Sequence, residues 1–541
     1  MTSATLPVRQ AGSRSACPVG KQTPLIKEIL LCLTSAVLLI LSFPRFDLEF
    51  FAWFAFVPLF FTLKNKSKAK VFVLSYITGV IFWLVTIYWL IHVTLLGMII
   101  LVLYLALYFG VFGFLFSYTL HASAEGGSAC GGKRYRLIFI PAFWVILEYA
   151  RSHLLTGFPW ALLGYSQFRN LPVIQIADIF GAWGVSFLVM LVNLAIYKAV
   201  NSQSPVTSRQ SSVYSSRVKY ILLAIICLGL TLCYGYFKLH LTPRPAGGKL
   251  IKISVIQGNI PQELKWYSGA RGDIINKYTL LSKLAAREKP DLIVWPEAAL
   301  PVILEEEPSY FEKVRELAKA TRTTFLLGAV TAKDDFYYNS AILVSQEGEK
   351  VLQYDKLHLV PFGEYIPLRN ILPFLQTIVP IGDVNRGKEY KIFSANLAEG
   401  PGHSLRLKFG VLICFEDVFP ELSREFVKRE AQFLVNITND AWYKKTFASY
   451  QHLQASVFRA VENRVNVLRS ANTGVSCFIS PEGRIISLVA DASGKEIFVD
   501  GYKTESISVG ENTGSFYTRF GDWFVLLCFI FVLGGIICSI L

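Results

Sequence analysis

The sequence predicts an integral membrane helical bundle joined to a separate α/β domain. Three observations lead there. Hydrophobic residues make up 53% of the 541-residue chain and charged residues only 17%, a balance found in proteins dissolved in lipid. Apolar stretches long enough to cross a bilayer recur along the first 240 residues and once more at the end. Between them, residues 238–520 change texture, with short β-branched runs alternating with polar, helix-like segments.

The predicted spans fall near 26–43, 49–63, 71–90, 95–118, 137–153, 174–197 and 218–237, with the last at 521–541. The second is short and contains Pro58. The first could imitate a signal peptide, but Lys27 and Glu28 fall early in it and no small-residue cleavage site follows, so it reads as an anchor. Lys and Arg set the orientation. Arg9, Arg14, Lys21 and Lys27 lie on one side, as do Lys64 to Lys70, Lys133 to Arg136, and Lys198 to Lys219. Only Arg45, Arg151 and Arg169 lie on the other. The first side is therefore expected to be cytoplasmic, and seven spans carry the chain outside before the eighth returns it. The predicted divisions are a cytoplasmic arm at 1–25, a seven-span membrane domain at 26–237, an α/β domain at 245–505 and a final span at 521–541.

A formal net charge of +14 invites a nucleic-acid reading. The basic residues, however, sit in loops between apolar spans, and no basic stripe is interleaved with aromatics. The stretch Gly127–Lys133, "GSACGGK", nearly spells a phosphate-binding loop, yet Arg134 stands where Ser or Thr must coordinate magnesium. It also follows an apolar span rather than a soluble strand, so a glycine-rich connection is expected. The nine cysteines form no CxxC pair and no His/Cys cluster at metal spacing, so neither a disulfide framework nor a metal site is predicted. The arm Met1–Lys21 and the Ser- and Gln-rich loop Asn201–Ser216 read as flexible.

Within the α/β region the runs Ile251–Ile256, Leu292–Trp295, Thr324–Val330, Ala341–Val344, Val411–Cys414 and Phe433–Ile437 read as strands, and Asp273–Arg287 and Tyr310–Thr321 as helices. Three polar residues end such runs: Glu297 in "LIVWPEAALP", Lys356 in "YDKLHLVPFGEYIP" and Cys414 in "GVLICFED". Strand ends of a layered sheet converge on one edge, where sites form. Taken singly, each residue is more often a surface charge or a packed thiol. Together they fit covalent catalysis. A thiol attacks only with a base or a nearby positive charge, and a carboxylate among apolar neighbours makes a general base, which suits Glu297 after Trp295 and Pro296. A lysine favours the thiolate and then stabilises the oxyanion of a tetrahedral intermediate, with the Phe415 backbone N–H as a second donor.

Glu297, Lys356 and Cys414, in their "WPE", "YDK" and "CFED" settings, resemble the Glu-Lys-Cys triad of the nitrilase (carbon–nitrogen hydrolase) superfamily, and "NITNDAWY" at Asn436–Tyr443 and "QHLQASVFRAVENR" at Gln451–Arg464 resemble it too. "GNIPQELKW" at Gly258–Trp266, "VPFGEYIP" at Val360–Pro367, "TGFPW" at Thr156–Trp160 and "LGYSQ" at Leu163–Gln167 look like the bacterial apolipoprotein N-acyltransferase family. The resemblance implies an α-β-β-α sandwich for the α/β domain and a two-step acyl transfer through a thioester on Cys414. The implied donor is a membrane phospholipid such as phosphatidylethanolamine, cleaved at its sn-1 ester, and the implied acceptor is a diacylglyceryl apolipoprotein. Glu364, Glu416 and Trp266 are implied as supporting residues, and no cofactor is implied, since the donor arrives as an ester. The family commonly has tyrosine where this chain has Phe415. It further implies the inner membrane, with the catalytic domain on the periplasmic side and both termini cytoplasmic.

The aromatics Phe158 and Trp160 are candidates for an acyl entrance, against an ordinary interfacial belt. A site over the leaflet spares the substrate about 0.8 kcal/mol per CH₂ for leaving the bilayer. Glu148 and Arg151, three apart in the fifth span, read as a local pair rather than a substrate contact. His358 and His452 fall in family-like motifs and are assigned no catalytic role. Two other readings compete: a membrane-tethered amidase acting on a small amide, and a transporter or assembly protein with an inactive nitrilase-like domain.

Overall fold

The computed structural model describes residues 24–121, 132–201, 210–241, 248–361, 363–365, 384–398, 404–510 and 514–540. The arm 1–21, residues 127–131 and residues 202–209 lie outside them, as do Phe362, Ile366 and Pro367 of the "VPFGEYIP" motif, whereas 210–216, read from the sequence as part of a flexible loop, belong to the helix Gln210–Tyr236.

Every predicted span is helical in whole or in part. Helices occupy Leu25–Leu41, Lys68–Thr86, Leu95–His121, Gly132–His153, Ala177–Asn201, Gln210–Tyr236 and Trp523–Ile540. Among the described residues five segments are long and apolar enough to cross a membrane: Lys68–Thr86, Leu95–Ser117, Leu137–Thr156, Ala177–Asn201 and Val218–Leu241. The stretch 49–63 departs from a regular span. It is a 3-10 turn, Glu49–Trp53, followed by a helix, Val57–Leu63, with Pro58 in its first turn. Proline suits that position because the first turn has no internal N–H partner to lose. Seven residues rise only about 10 Å, and this piece packs inside the bundle, where Phe56, Leu59 and Phe60 are fully buried. The early charge of the first helix is neutralised locally: Glu28 is buried and pairs with Lys66 and with Lys70, the latter at 2.7 Å. On the outside, Ile100, Ile225, Leu230 and Leu526 remain exposed, an apolar surface suited to lipid.

The described residues of the α/β part contain thirteen strands: β1 Lys249–Gln257, β2 Leu292–Val294, β3 Leu300–Ile303, β4 Thr324–Lys333, β5 Phe336–Val344, β6 Lys350–Asp355, β7 Phe393–Ala398, β8 Ser404–Ile413, β9 Phe433–Thr438, β10 Asn466–Ala471, β11 Cys477–Ile479, β12 Ile485–Leu488 and β13 Gly501–Val509. They form two sheets, in the order β13-β1-β2-β4-β5-β6 with β3 on β4, and β12-β11-β10-β9-β8-β7. The strand period of two divides the residues between layers. Val255, Leu292 and Val294 face the second sheet and share a core with Val411, Ile413 and Val435. Ile256, Ile293 and Trp295 face the other way, onto the helices Arg271–Ala286 and Pro308–Thr321. Helices Pro420–Lys428 and Ala448–Asn463 accompany the second sheet. Ser470 of β10 joins the sheets directly, donating to the carbonyls of Ile256 and Val294 at 2.9 and 3.1 Å. The two sheets with their flanking helices make up the sandwich that the sequence resemblance implies. Each of the six runs read as strands lies in an observed strand, except that Trp295 and Cys414 lie one residue past β2 and β8, and both predicted helices form.

Candidate active site

Three strand ends deliver the candidate triad. Glu297 follows β2 after Trp295 and Pro296, where the Trp295 N–H donates to Leu326 and the Gly328 N–H to Pro296. This turn crosses β4 so closely that a Cβ on Gly328 would lie 2.6 Å from the backbone of Pro296, Glu297 and Ala298, so only glycine fits there. Lys356 follows β6, its own N–H bonded to the Asn339 carbonyl of β5 at 2.9 Å. Cys414 ends β8 and enters the 3-10 turn Cys414–Val418 with φ of +54°. A left-handed non-glycine residue carries strain that surrounding contacts must hold. Here Asn436 of β9 supplies one such contact, donating to the Cys414 carbonyl at 3.0 Å.

The side chains of Glu297 and Lys356 meet. Lys356 Nζ lies 3.6 Å from Glu297 Oε1 and 2.9 Å from Glu364 Oε2. Burial works against the Lys356 charge, but Glu364 and Glu297 hold the ammonium well above its ordinary value. Glu364 also accepts from the Val360 N–H at 2.8 Å. Burial pushes the Cys414 thiol well up and Glu297 adds to this, while Lys356 opposes it. The resting sulfur is therefore a protonated thiol, and attack requires that its proton be taken.

Glu416 ties the thiol's turn to the lysine's strand end. Its carboxylate accepts from Ile413 N–H at 2.7 Å, Leu357 N–H at 2.6 Å, His358 N–H at 3.1 Å and the Tyr354 hydroxyl at 2.9 Å. Burial lifts it to about 7 against those backbone donors and Lys356. Phe415 stacks on Trp160 with ring centroids 6.2 Å apart and meets Phe419 edge-on. Trp160 is only 2% exposed and Phe158 stacks on it at 6.1 Å, so the two form a wall beside the site. Trp266 stays at the surface, 46% exposed, outside the hydrogen-bonded group.

Glu148 and Arg151 do not pair with each other. Glu148 Oε1 accepts from the Leu163 N–H at 2.6 Å. Arg151 donates to the carbonyls of Phe158 and Trp160 at 2.8 and 2.7 Å and lies 4.8 Å over the Trp83 ring. Both charges grip one loop, whose unpaired backbone groups inside the bundle need partners more than the charges need each other.

Sequence reasoning missed three features. Asn339 donates to both Glu297 and Glu364, at 2.7 and 2.8 Å. A polar residue inside the β5 run was its only signal. Lys265, 2% exposed, donates to the Glu297 carbonyl at 2.9 Å, and burial lowers its ammonium to about 8. It stands beside Trp266 in "ELKWY". The third is a buried charged cluster of Asp417, Asp440, His452 and Arg469 beneath the turn of Cys414. Among the described residues no group of His, Cys, Asp and Glu could hold a metal ion.

Known proteins share both parts of the chain. Residues 35–195 match the family model described as the apolipoprotein N-acyltransferase N-terminal domain, and residues 252–499 match carbon–nitrogen hydrolase. An apolipoprotein N-acyltransferase of Geobacter metallireducens is 39% identical over 521 residues, covering 93% of each chain. One from Rickettsia prowazekii is 32% identical, over 75% of this chain and 76% of the relative. Another, from Methylococcus capsulatus, is 31% identical over 86% and 88%.

Proposed function

The chain belongs to the apolipoprotein N-acyltransferase family, and from that premise we propose that Cys414, Glu297 and Lys356 carry a phospholipid acyl chain to the N-terminal amine of a diacylglyceryl-cysteine. Membership sets aside the amidase and inactive-domain readings. What carries the assignment to residues is the meeting of a buried carboxylate and a buried ammonium, 3.6 Å apart, at the strand ends beside a thiol held on a strained turn.

In the first step Glu297 takes the thiol proton as Cys414 Sγ attacks the sn-1 ester carbonyl. Lys356 and the Phe415 N–H receive the developing oxyanion. The carbon–oxygen bond then breaks, Glu297 returns its proton to the glycerol oxygen, and a lysophospholipid leaves behind a thioester. In the second step the acceptor α-amine attacks that thioester, a carbon–nitrogen bond replaces the carbon–sulfur bond, and the amine proton passes through Glu297 to sulfur. Asn339 and Glu364 hold the carboxylate and the ammonium in place, and Glu416 sets their distance from the turn of Cys414. The donor in this reading is phosphatidylethanolamine.

The chain is an inner-membrane, multi-pass protein in which residues 26–237 and 521–541 make eight spans and 245–505 form the catalytic domain. The bias of Lys and Arg toward one set of loops supports cytoplasmic termini and a periplasmic catalytic domain. Mass spectrometry of the full-length protein incubated with phospholipid and no acceptor tests the chemistry. The expected result is one acyl group on the Cys414 peptide, absent in Cys414→Ala and discharged by a diacylglyceryl lipopeptide. Lipid bound with no adduct on Cys414 overturns the assignment.

A further inference from the structure

His452 sits where its two ring nitrogens face two different carboxylates. Nε2 is 2.8 Å from Asp417 Oδ1 and Nδ1 is 3.0 Å from Asp440 Oδ1. Asp417 belongs to the turn that begins at Cys414, and Asp440 opens the turn Asp440–Tyr443 after β9. An ionised carboxylate only accepts hydrogen bonds, so a ring placed between two of them carries a proton on both nitrogens. Both carboxylates have further reason to be ionised. Arg469 of β10 donates to Asp417 Oδ2 at 2.8 Å and lies 3.8 Å from Asp440 Oδ2, and Ser456 donates to Asp417. Although burial opposes their charges, His452 and Arg469 hold both acids below the usual carboxylate range. All four charged side chains are at most 2% exposed, and two acids balance two bases.

The helix Ala448–Asn463 that presents His452 is itself pinned one residue earlier. Gln451 Oε1 accepts from Trp160 Nε1 at 2.7 Å and Trp89 Nε1 at 3.0 Å, and its Nε2 donates to the Thr86 carbonyl at 3.0 Å. The Trp160 ring also covers the imidazole, 5.5 Å between centroids. Adjacent residues of one helix thus fasten membrane connections on one side and the two turns of the site on the other.

We propose that His452 is a positioning residue of the acyl transfer, held as an imidazolium that locks the turn of Cys414 to the turn Asp440–Tyr443. The proposal rests on the acyl-transfer reading above. Burial disfavours the ring's charge, but Asp417 and Asp440 outweigh it and hold His452 up to about 9, with Arg469 opposing them. Loss of that proton sets a bare nitrogen against a carboxylate and leaves one uncompensated negative charge in the cluster. Asp440 already pushes the Cys414 thiol up, so the extra charge disfavours the thiolate while the turns come apart.

The test is the rate of thioester formation on Cys414, followed by mass spectrometry of the full-length protein in phospholipid nanodiscs from pH 6 to 10. The wild-type rate is expected to fall above about pH 9 with little change in KM for phospholipid. Asp440→Asn keeps the shape but removes one of the two facing anions, and should move that limb down by a unit or more. Lys265, at about 8, titrates nearby, but Asp440 faces His452 and not Lys265, so only a limb owned by His452 follows the substitution. His452→Gln should form thioester about tenfold more slowly or worse, with no limb near 9. ¹⁵N-histidine NMR, assigned by the loss of one signal in His452→Gln, reads the charge without any turnover. A doubly protonated ring at pH 7.5 is expected. A neutral ring, or a limb that stays in place in Asp440→Asn, overturns the proposal. A wild type that forms no thioester at any pH fails the acyl-transfer reading instead, and the NMR signal still decides the charge of His452.

Discussion

The two sheets contribute unlike halves to the site. From the first come Glu297, Lys356 and Asn339, with Glu364 from the segment after β6. Their carboxylates and ammonium are satisfied chiefly by one another, and the carboxylates keep about a tenth of their side-chain surface open. From the second come Cys414 and, beneath it, Asp417, Asp440, His452 and Arg469, whose charges are sealed away and cancel. In the proposed mechanism the first half exchanges protons, whereas the second holds a strained turn still. A catalytic centre needs both, because a reactive group gains from exposure to substrate and a scaffold gains from complete satisfaction.

Breaking each half should give opposite symptoms. Lys356→Met removes the cation between Glu297 and Glu364, so one of the two carboxylates must take up a proton. In the proposed mechanism this compromises the base and the oxyanion partner together, and thioester formation should drop by about a thousandfold or more. The protein should remain folded enough to bind phospholipid. Arg469→Met instead leaves Asp417 and Asp440 buried with one cation between them, a loss of about 3–5 kcal/mol. Its main symptom should be a lowered unfolding temperature in detergent. Thermal unfolding and thioester yield, measured on both variants, check the contrast. An inactive but stable Arg469→Met, or an unfolded Lys356→Met, would erase the distinction between the halves.

That distinction also explains what the sequence disclosed. Glu297, Lys356 and Cys414 stood out because each interrupts an apolar run at its end, where burial makes a polar residue conspicuous. The parallel core strands were equally legible, since β2, β9, the Thr324–Ala329 part of β4 and the Phe409–Ile413 part of β8 are buried on both faces and read as short apolar runs. The supporting cluster left no such mark. Gln451, His452, Gln454, Ser456, Arg459 and Glu462 form a helix whose polar residues are all buried, and polarity in a helix ordinarily signals solvent. Only the packing of that helix between the sheet and the membrane connections reverses the rule. Glu148 and Arg151 were misread for a related reason: spacing along a helix shows which charges can meet, while the unpaired carbonyls of a neighbouring loop decide where they go. The short piece Val57–Leu63 was legible as apolar, and Pro58 with the short length of 49–63 already set it apart from the other spans.

A smaller effect separates the halves by stability against pH. The folded pKa of His452 is raised, to about 9, above an unfolded value of about 6.5. Its contribution is therefore fully present below about 6.5 and is lost as pH rises through about 9. Unfolding temperature should fall between pH 7 and pH 10 in the wild type, and the fall should be shallower in His452→Gln. Equal slopes in the two proteins would remove His452 from the scaffold.

The smallest effect is expected where the halves touch. Phe415 lies one residue past Cys414, 6% exposed, with its ring stacked on Trp160 and set edge-on to Phe419. Its backbone N–H serves the reaction in the proposed mechanism, and that group is indifferent to the side chain. The ring contributes packing only, and packing against Trp160 survives the addition of a hydroxyl. Phe415→Tyr introduces the residue that the sequence resemblance leads one to expect, at the cost of giving one polar atom a place in a tight aromatic stack, a penalty of about 1–3 kcal/mol if no partner is found. Steady-state transfer to a lipopeptide should change by less than about threefold in rate, with any loss appearing in thermal stability. A tenfold gain would mean that the hydroxyl acts on the thioester, and the nucleophile's half of the site would then also take part in moving protons.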